Sequence, residues 1–262
     1  MSDWTLPKDL STARILVSND DGIEAPGIKV LSRVAAALTN DVWVVAPETE
    51  QSGAGHSLTL RRPLRIRRVE ERRFAVDGTP TDCVLLAINE ILKDGRPTLV
   101  LSGVNRGGNL GEDVTYSGTV AAAMEGTVLG VPSIALSQEY PDGGPVPWET
   151  AETLAPELIR RLCAIGWPRN SLININFPGV SPDRVTGIRA SEQGRRKIGD
   201  QIVVGNDPRG NPYYWIGSMR TEDPTVAGTD LNAVHSNAVA VTPIGMNMTD
   251  HPTLTKLAET FH

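Results

Sequence analysis

The sequence predicts an α/β fold in which helices flank a mostly parallel sheet. Short apolar runs recur along the first two thirds of the chain, and segments with helical spacing of apolar residues separate them. Uninterrupted apolar strands are typical of parallel sheets that are covered on both faces. Polar residues follow three of these strands directly, as expected where an open parallel sheet binds its ligand.

The first strand–helix–strand unit is predicted near the N-terminus. An apolar run at residues 15–17 precedes a stretch with helical spacing at residues 26–38, and a second apolar strand follows at residues 42–46. Pro26 fits the first turn of the helix, where a backbone N–H would have no partner. Short connections between these elements favour two parallel strands joined by a crossover helix.

The same alternation continues as far as residue 177. The predicted elements are a strand at residues 99–101, a helix at 118–129 ended by Gly130, a strand at 131–136, a helix at 151–165 and a strand at 172–177. A surface loop is expected at residues 141–147, which are rich in proline and glycine.

Two segments depart from this alternation. Residues 61–77 alternate apolar and charged side chains and carry seven arginines, which predicts an exposed hairpin with a solvated face rather than an anion-binding patch. Residues 184–245 contain short strand-like runs and many turn signals, and we expect them to form a β-rich appendage that reaches a partner subunit.

The predicted domain organisation therefore has three parts. Residues 1–13 form a loose N-terminal extension, and residues 14–183 form the α/β core with a hairpin inserted at about residues 58–77. Residues 184–262 form the β-rich extension and a C-terminal segment that takes part in oligomerisation. A length of 262 residues permits one large domain with such an appendage.

Composition excludes several classes of protein. The net charge of −6 and an aromatic content of 5% disfavour binding to nucleic-acid polymers. Cys83 and Cys163 are isolated among apolar residues and are expected in the core. The first residues lack the pattern of a signal peptide and no apolar run approaches a membrane span, so we expect a cytoplasmic protein without membrane contact.

Several ligand-binding and catalytic motifs are absent from the sequence. No GxGxxG follows the first strand, no GxxxxGK[ST] occurs, and no GxSxG is present. These absences disfavour a dinucleotide fold, a P-loop NTPase and an α/β-hydrolase.

Three polar clusters carry the candidate chemistry. They follow three predicted parallel strands and span residues 19–22, 48–55 and 102–109. Because the carboxyl ends of parallel strands share one edge of the sheet, we expect these clusters to converge.

A divalent cation is predicted among these clusters. Asp20 and Asp21 would repel each other at a strand end unless one is protonated or a cation binds both. With the Ser52 hydroxyl and the Asn105 amide oxygen they form an all-oxygen set, which suits Mg²⁺ or Mn²⁺. The four histidines have no ligand spacing, so zinc is not expected. The alternative for residues 19–22 alone is an ordinary turn.

A phosphate-binding site is predicted beside the cation. Ser117, Gly118 and Thr119 open the helix after the third cluster, and free amides at a helix N-terminus bind phosphate. The alternative is a plain N-cap by Ser117 or Thr119. A cation next to a phosphate site indicates hydrolysis of phosphate esters.

Long stretches of the sequence resemble the SurE family, the stationary-phase survival proteins. The resemblance runs from about residue 14 to about residue 245. It rests on ILVSNDDGIEAPGIKVL (15–31), APETEQSGAGHSLTL (46–60), AVDGTPTDCVLLAI (75–88), LSGVNRGGNLGEDVTYSGTVAAAMEG (101–126) and DPRGNPYYWIG (207–217).

The resemblance implies a Rossmann-like core, a β-rich C-terminal extension exchanged between subunits, and a homodimer or homotetramer. It implies one divalent cation per subunit, held by Asp20, Asp21, Ser52 and Asn105, of which Asp20, Asp21 and Asn105 are catalytic. It also implies that the phosphate pocket is lined by Asn19, Gly53, Gly108, Asn109, Ser117, Gly118 and Thr119. The implied activity is that of a 5′-nucleotidase, which hydrolyses nucleoside monophosphates, with 3′-nucleotidase or short-chain exopolyphosphatase activity in addition.

Two features depart from the family pattern. The segment before Arg14 is longer than usual, and Asn237-Ala238 replaces the Gly-Tyr of many relatives. Asn tolerates a left-handed conformation, so we expect the turn to be kept.

Three functions remain open from the residues. The chain is a phosphomonoesterase, or a phosphometabolite sensor without turnover, or, less favoured, a metal-dependent sugar-nucleotide transferase. His56 is expected at the surface, although substrate contact is the alternative.

Overall fold

A computed structural model describes residues 3–261 except residues 5, 8, 199–200 and 218–219. Within that part of the chain the strands are β1 (Arg14–Ser18), β2 (Asp41–Pro47), β3 (Ile66–Glu70), β4 (Arg73–Val76), β5 (Leu99–Arg106), β6 (Ser133–Gln138), β7 (Ser171–Phe177), β8 (Ile188–Ala190), β9 (Arg196–Ile198), β10 (Ile202–Asn206), β11 (Pro212–Ile216), β12 (Arg220–Glu222) and β13 (Val239–Gly245). The α-helices are α1 (Pro26–Ala36), α2 (Pro80–Leu86), α3 (Gly118–Val128), α4 (Trp148–Ile165), α5 (Asp230–His235) and α6 (His251–Thr260).

A nine-stranded sheet forms the centre of the molecule, with the order β3-β4-β2-β1-β5-β6-β7-β13-β8. The six strands from β4 to β7 are parallel, whereas β3 and β13 run antiparallel to their neighbours β4 and β7. The chain passes from β1 to β2 on one side and later to β5 on the other side of β1. This reversal of direction creates the switch point at which open parallel sheets bind ligands.

Helices cover both faces of the sheet. On β1, Ile15 and Val17 pack with α1 and α4, whereas Leu16 packs on the opposite face with residues of α2 and α3. This alternation along a wholly buried strand is the reason that the sequence shows continuous apolar runs. The predicted α/β fold with a mostly parallel sheet is therefore confirmed.

The strand predicted at residues 131–136 begins two residues later, as β6. Gly130 takes a φ of +81° after α3, and its N–H bonds to Thr127 O while the N–H of Val131 bonds to Gly126 O. These two bonds form a Schellman motif, which uses Val131 and Pro132 to leave the helix. The helix end at Gly130 was predicted correctly, but the strand start was wrong.

The N-terminal segment differs from the loose extension expected from the sequence. Trp4, Leu6 and Leu10 are buried in the core cluster beneath α1 and α4, and Trp4 N–H donates to Trp167 O at 2.9 Å. Burial of apolar surface thus attaches the segment to the core.

The predicted hairpin is formed by β3 and β4, and β4 extends the central sheet by pairing with β2 in parallel. Its arginines pair with acidic groups, including Arg67 with Glu48 at 2.8 Å and Arg72 with Asp41 at 3.1 Å. The solvated face predicted for this segment agrees with these exposed ion pairs.

Two small antiparallel pairs lie in the chain between the sheet strands β8 and β13. One joins β10 with β11, and the other joins β9 with β12. Asn237 takes a φ of +57°, which confirms the left-handed turn expected there. In the described residues, no helix combines the length and apolar character needed to cross a membrane.

Both cysteines are buried, as predicted, and burial raises the pKa of the Cys163 thiol to about 12. A thiol with such a pKa stays protonated and packs as a small apolar group.

The close packing of α1 on β5 yields the first prediction. A Cβ at Gly27 would lie 1.9 Å from Val104 O, so Gly27→Ala forces α1 away from the sheet. We expect the free energy of unfolding to fall by about 1–3 kcal/mol in urea titrations, although Ala favours an isolated helix.

Gly245→Ala is the matched control, because a Cβ there meets nothing within 4 Å. Equal unfolding midpoints for the two variants would contradict the close contact between α1 and β5.

Candidate active site

A cavity of about 590 Å³ lies where β2, β1 and β5 end side by side. All three polar clusters reach it, so the convergence predicted from the strand ends is observed. Eight of the residues singled out in the sequence line its wall: Asp20, Asp21, Ser52, Gly53, Asn105, Gly108, Asn109 and Ser117.

Asp20 is almost wholly buried, with 4% of its surface exposed. Its carboxylate accepts a hydrogen bond from the Thr119 hydroxyl in the first turn of α3. Burial raises the pKa of Asp20, although the hydrogen bonds from Thr119 act in the opposite direction. The fold therefore holds a carboxylate in place where its charge is costly.

Asp21 faces the same cavity and adds a second carboxylate. Burial, followed by the negative charge of Asp20, raises the pKa of Asp21 to about 6. The backbone N–H of Arg106 donates to Asp21 Oδ2 at a long distance of 3.4 Å. Glu50 contributes a further negative charge that raises both pKa values.

The loop of residues 48–55 brings Ser52 and Gly53 to the cavity. Gln51 N–H donates to Asp20 O at 2.8 Å, which fastens the loop directly to the end of β1. The Ser52 hydroxyl donates to Glu50 Oε1 at 2.8 Å and keeps its lone pairs for another partner. Gly53 takes a φ of +77°, a backbone conformation that favours glycine.

A bulge in β5 directs Asn105 into the cavity. Between Ser102 and Asn105, β5 uses one residue more than β6. Gly103 permits this bulge, because a Cβ there would lie 2.2 Å from Leu136 O. The amide nitrogen of Asn105 donates to Gly107 O at 2.8 Å, which fixes the orientation of its amide oxygen.

Asn109 is anchored by a buried polar network that sequence reasoning did not find. Its N–H donates to Asn176 Oδ1 at 2.8 Å, and its Nδ2 donates to Ser137 Oγ at 2.8 Å. Asn174 and Asn176 both donate to Asn109 O. The two asparagines lie on β7, and their polar character inside an otherwise apolar strand was the available signal in the sequence.

Ser117 caps α3 by accepting a hydrogen bond from Val120 N–H. Gly118 has no room for a side chain, because a Cβ there would lie 2.6 Å from Asp20 Cβ. Gly108 N–H donates to Glu139 Oε2 at 3.2 Å. The close approach at Gly118 and the hydrogen bond from Thr119 hold the N-terminus of α3 against the Asp20 carboxylate.

Three of the residues predicted for the phosphate pocket lie behind the cavity wall and do not line it: Asn19, Gly118 and Thr119. Asn19 is fully buried, and its Nδ2 donates to Gly22 O at 3.0 Å, which shapes the turn after β1. Thr119 is fully buried against Asp20.

Other residues of the cavity wall were not among the predicted ones. They are Glu50, Arg106, Gly107, Asp113, Tyr116, Ile202 and Ile216. Glu50 and Arg106 lie inside two of the polar clusters, so their position in the sequence was a usable signal. Ile202 and Ile216 come from β10 and β11, and nothing local in the sequence places them near Asp20.

His56 does not line the cavity. Its Nε2 lies 2.9 Å from Glu125 Oε2 of α3, so His56 ties the loop after β2 to that helix.

The described residues contain no group of three or more His, Cys, Asp or Glu side chains suited to a metal ion. The donor set at this cavity is of a different kind, namely two carboxylates with a hydroxyl and an amide oxygen. Hard divalent cations such as Mg²⁺ accept such donors together with water and substrate oxygens.

The fold and the cavity define an α/β protein with an oxygen-rich, acidic site at the switch point of a parallel sheet. The family model described as "Survival protein SurE" matches residues 15–200. A Paramagnetospirillum magneticum protein named 5′-nucleotidase SurE is 62% identical over 253 residues, covering 97% of this chain and 97% of that protein.

Two further comparisons agree with this match. A Rhodospirillum rubrum protein named 5′-nucleotidase SurE is 58% identical over 256 residues, covering 97% of this chain and 98% of that protein. The crystal structure of SurE from Aquifex aeolicus is 38% identical with a TM-score of 0.83, and the match covers 95% of this chain and 100% of that one. The chain belongs to the SurE family, which confirms the resemblance seen in the sequence.

The asparagine network yields the second prediction. Asn176→Ala leaves the buried N–H of Asn109 without its acceptor, so the free energy of unfolding in urea should fall by about 1–3 kcal/mol. Asn89→Ala is the control, since Asn89 is exposed and its replacement should change stability by less than about 0.5 kcal/mol. A stability of Asn176→Ala equal to that of the control would show that the network does not hold Asn109.

Proposed function

We propose that the protein is a divalent-metal-dependent phosphomonoesterase that hydrolyses nucleoside monophosphates to nucleoside and phosphate, a 5′-nucleotidase. The observation that carries this proposal is a pair of adjacent carboxylates, the buried Asp20 and the half-buried Asp21, which face one cavity at the N-terminus of α3. Relatives at 62% and 58% identity named 5′-nucleotidase SurE support it.

The residues present fit a bound Mg²⁺ or Mn²⁺. Burial raises the pKa values of Asp20 and Asp21, and the charges of neighbouring carboxylates, Glu50 for both and Asp20 for Asp21, raise them further; a bound cation would offset that penalty. We propose that Asp20, Asp21, Ser52 and Asn105 hold one cation per subunit. When bound, the cation supplies Lewis acidity toward the phosphoryl group and toward water.

The proposed phosphate pocket comprises Asn19, Gly53, Gly108, Asn109, Ser117, Gly118 and Thr119. Gly53, Gly108, Asn109 and Ser117 face the cavity, so these four offer direct contacts. Asn19, Gly118 and Thr119 act from behind the wall: Asn19 holds the turn after β1, and Thr119 orients Asp20. The absence of a Cβ at Gly118 lets the positive end of α3 approach the site.

In the proposed mechanism the protein mainly positions and polarises the ester. Asn109, held by Asn176 and Ser137, orients the phosphoryl group, and Asn105 contacts the same group from the bulge of β5. Fixed donors of this kind need no reorganisation during the reaction. The cavity of about 590 Å³ exceeds what a phosphate group fills and lies within the range of sites for small organic ligands.

We also propose a cytoplasmic homodimer or homotetramer in which residues 184–262 contribute to assembly. The hairpin of β10 and β11 exposes large apolar side chains, with Trp215 and Ile216 exposed by 67% and 77%. Apolar side chains clustered at a surface are typical of protein contacts. No contact with a nucleic-acid polymer or a membrane is part of the proposal.

The activity test is phosphate release from the four 5′-nucleoside monophosphates, 3′-AMP and tripolyphosphate. The arms contain Mg²⁺, Mn²⁺ or EDTA. Release from 5′-monophosphates that depends on the metal and is abolished by EDTA is the expected result. If folded, metal-loaded protein releases no phosphate from any compound, the sensor becomes the better explanation.

The role of Asp20 yields the third prediction. Asp20→Asn keeps the shape of the side chain but removes one charge from the cation site. The rate should fall by about three orders of magnitude. Asp94→Asn, at an exposed aspartate, should retain wild-type activity.

Thermal unfolding of the metal-free variants completes this test, because removing one of two repelling carboxylates should not lower stability. Full activity of Asp20→Asn at saturating metal would overturn the proposed role of the carboxylate.

A further inference from the structure

Arg106 is the cationic side chain of the site, and neither the sequence motifs nor the proposed mechanism uses it. It is the last residue of β5 and lines the cavity that contains Asp20 and Asp21. It also lines a second cavity of about 450 Å³ on the other side of Asp21, which reaches Trp148 at the start of α4. Arg106 thus stands at the boundary between the two.

The charges around the main cavity are strongly unequal. Among the described residues of its wall, four are acidic, namely Asp20, Asp21, Glu50 and Asp113, and Arg106 is the single Lys or Arg. A phosphate monoester carries about two negative charges at neutral pH. Without a local cation, such a ligand would be repelled from this wall.

The guanidinium of Arg106 is restrained by a neighbouring aromatic ring, but no carboxylate of the described residues pairs with it. It lies 5.4 Å from the centroid of the Tyr140 ring, a cation–π contact that restrains the side chain. In the described part of the chain it forms no ion pair with a carboxylate, and the side chain is exposed. Arg196 shows the opposite arrangement: it is buried and lies within 3.5 Å of carboxylate oxygens of Asp113, Glu139 and Glu222.

We propose that Arg106 binds the phosphoryl group of the substrate through charge-assisted hydrogen bonds from its guanidinium. This inference rests on the proposed function and adds to it a binding residue of the chain itself. A planar guanidinium matches two phosphoryl oxygens at once, and the contact with Tyr140 restrains the group. The contribution of Arg106 is charge and orientation.

The position of Arg106 makes this contact compatible with the cation site. Its backbone N–H faces Asp21 Oδ2 while its side chain extends along the cavity wall. The carboxylates and the guanidinium are therefore presented from the ends of two adjacent strands, β1 and β5. A phosphoryl group in this cavity could contact the guanidinium while the carboxylates remain available to hold the proposed cation.

The test compares Arg106→Gln and Arg106→Lys with the wild-type protein. For Arg106→Gln, we expect the KM for a nucleoside monophosphate and the inhibition constant of inorganic phosphate both to rise about ten- to hundredfold. The inhibition constant of the uncharged nucleoside and the Kd for Mn²⁺ should stay unchanged. Arg106→Lys should recover part of the loss, because it restores the charge without the planar pair of donors.

Arg161→Gln is the matched control. Arg161 is an exposed arginine of α4, about 20 Å along the helix axis from Trp148, and its replacement should leave every constant unchanged.

The outcomes distinguish the two proposals. If wild-type protein releases phosphate and Arg106→Gln has wild-type KM and phosphate inhibition, the role of Arg106 is wrong while the nucleotidase stands. A fall in kcat alone, with phosphate inhibition unchanged, would also contradict binding by Arg106. If wild-type protein releases none, the proposed function fails, and inorganic phosphate titrated into the Mn²⁺-loaded protein still tests Arg106 by calorimetry.

Discussion

Two carboxylates held side by side at the end of a buried strand are the constraint around which the site is arranged. Asp20 and Asp21 lie in the turn after β1; burial raises the pKa of both, and the negative charge of Asp20 raises the pKa of Asp21 further. A sequence that needed only a turn there could use uncharged residues at no such cost. Glu50 adds a third negative charge near the two aspartates and raises both pKa values further, which favours the binding of a cation there.

The parallel sheet supplies the rigidity that such a site needs. Asn109 is fixed by Asn176 of β7 and Ser137 of β6, so a loop residue is positioned by strands two and three places away from β1. The side chains of Ser137 and Asn176 are fully buried and hydrogen-bond to Asn109, an arrangement that permits few alternative conformations. The ligand-facing loops are therefore fixed by the same core that stabilises the fold.

The sequence predicted the parts of this arrangement that are local. Three strands followed by polar clusters, and the rule that strand ends share an edge, were enough to bring Asp20, Ser52 and Asn105 to one cavity. What it could not predict depends on contacts between distant segments. The burial of Trp4 is decided by packing against Trp167, and the presence of Ile202 in the cavity wall is decided by where the β10–β11 hairpin folds back. Arg106 lies in one of the polar clusters of the sequence, but only the three-dimensional structure shows that no carboxylate of the described residues forms an ion pair with it.

In the proposed function, an acidic protein with an acidic site must bind a dianionic substrate. This requires positive charge at the site to compensate the carboxylates. The net charge is −6 and the cavity wall carries four carboxylates, so these side chains by themselves repel phosphate. The N-terminus of α3 contributes only a partial positive charge, and Arg106 contributes one full charge. In the proposed function a divalent cation would supply the remainder, and by thermodynamic reciprocity cation and phosphate would each tighten the binding of the other by the same factor. The negative charges of Asp20 and Asp21 would thus link phosphate binding to cation binding.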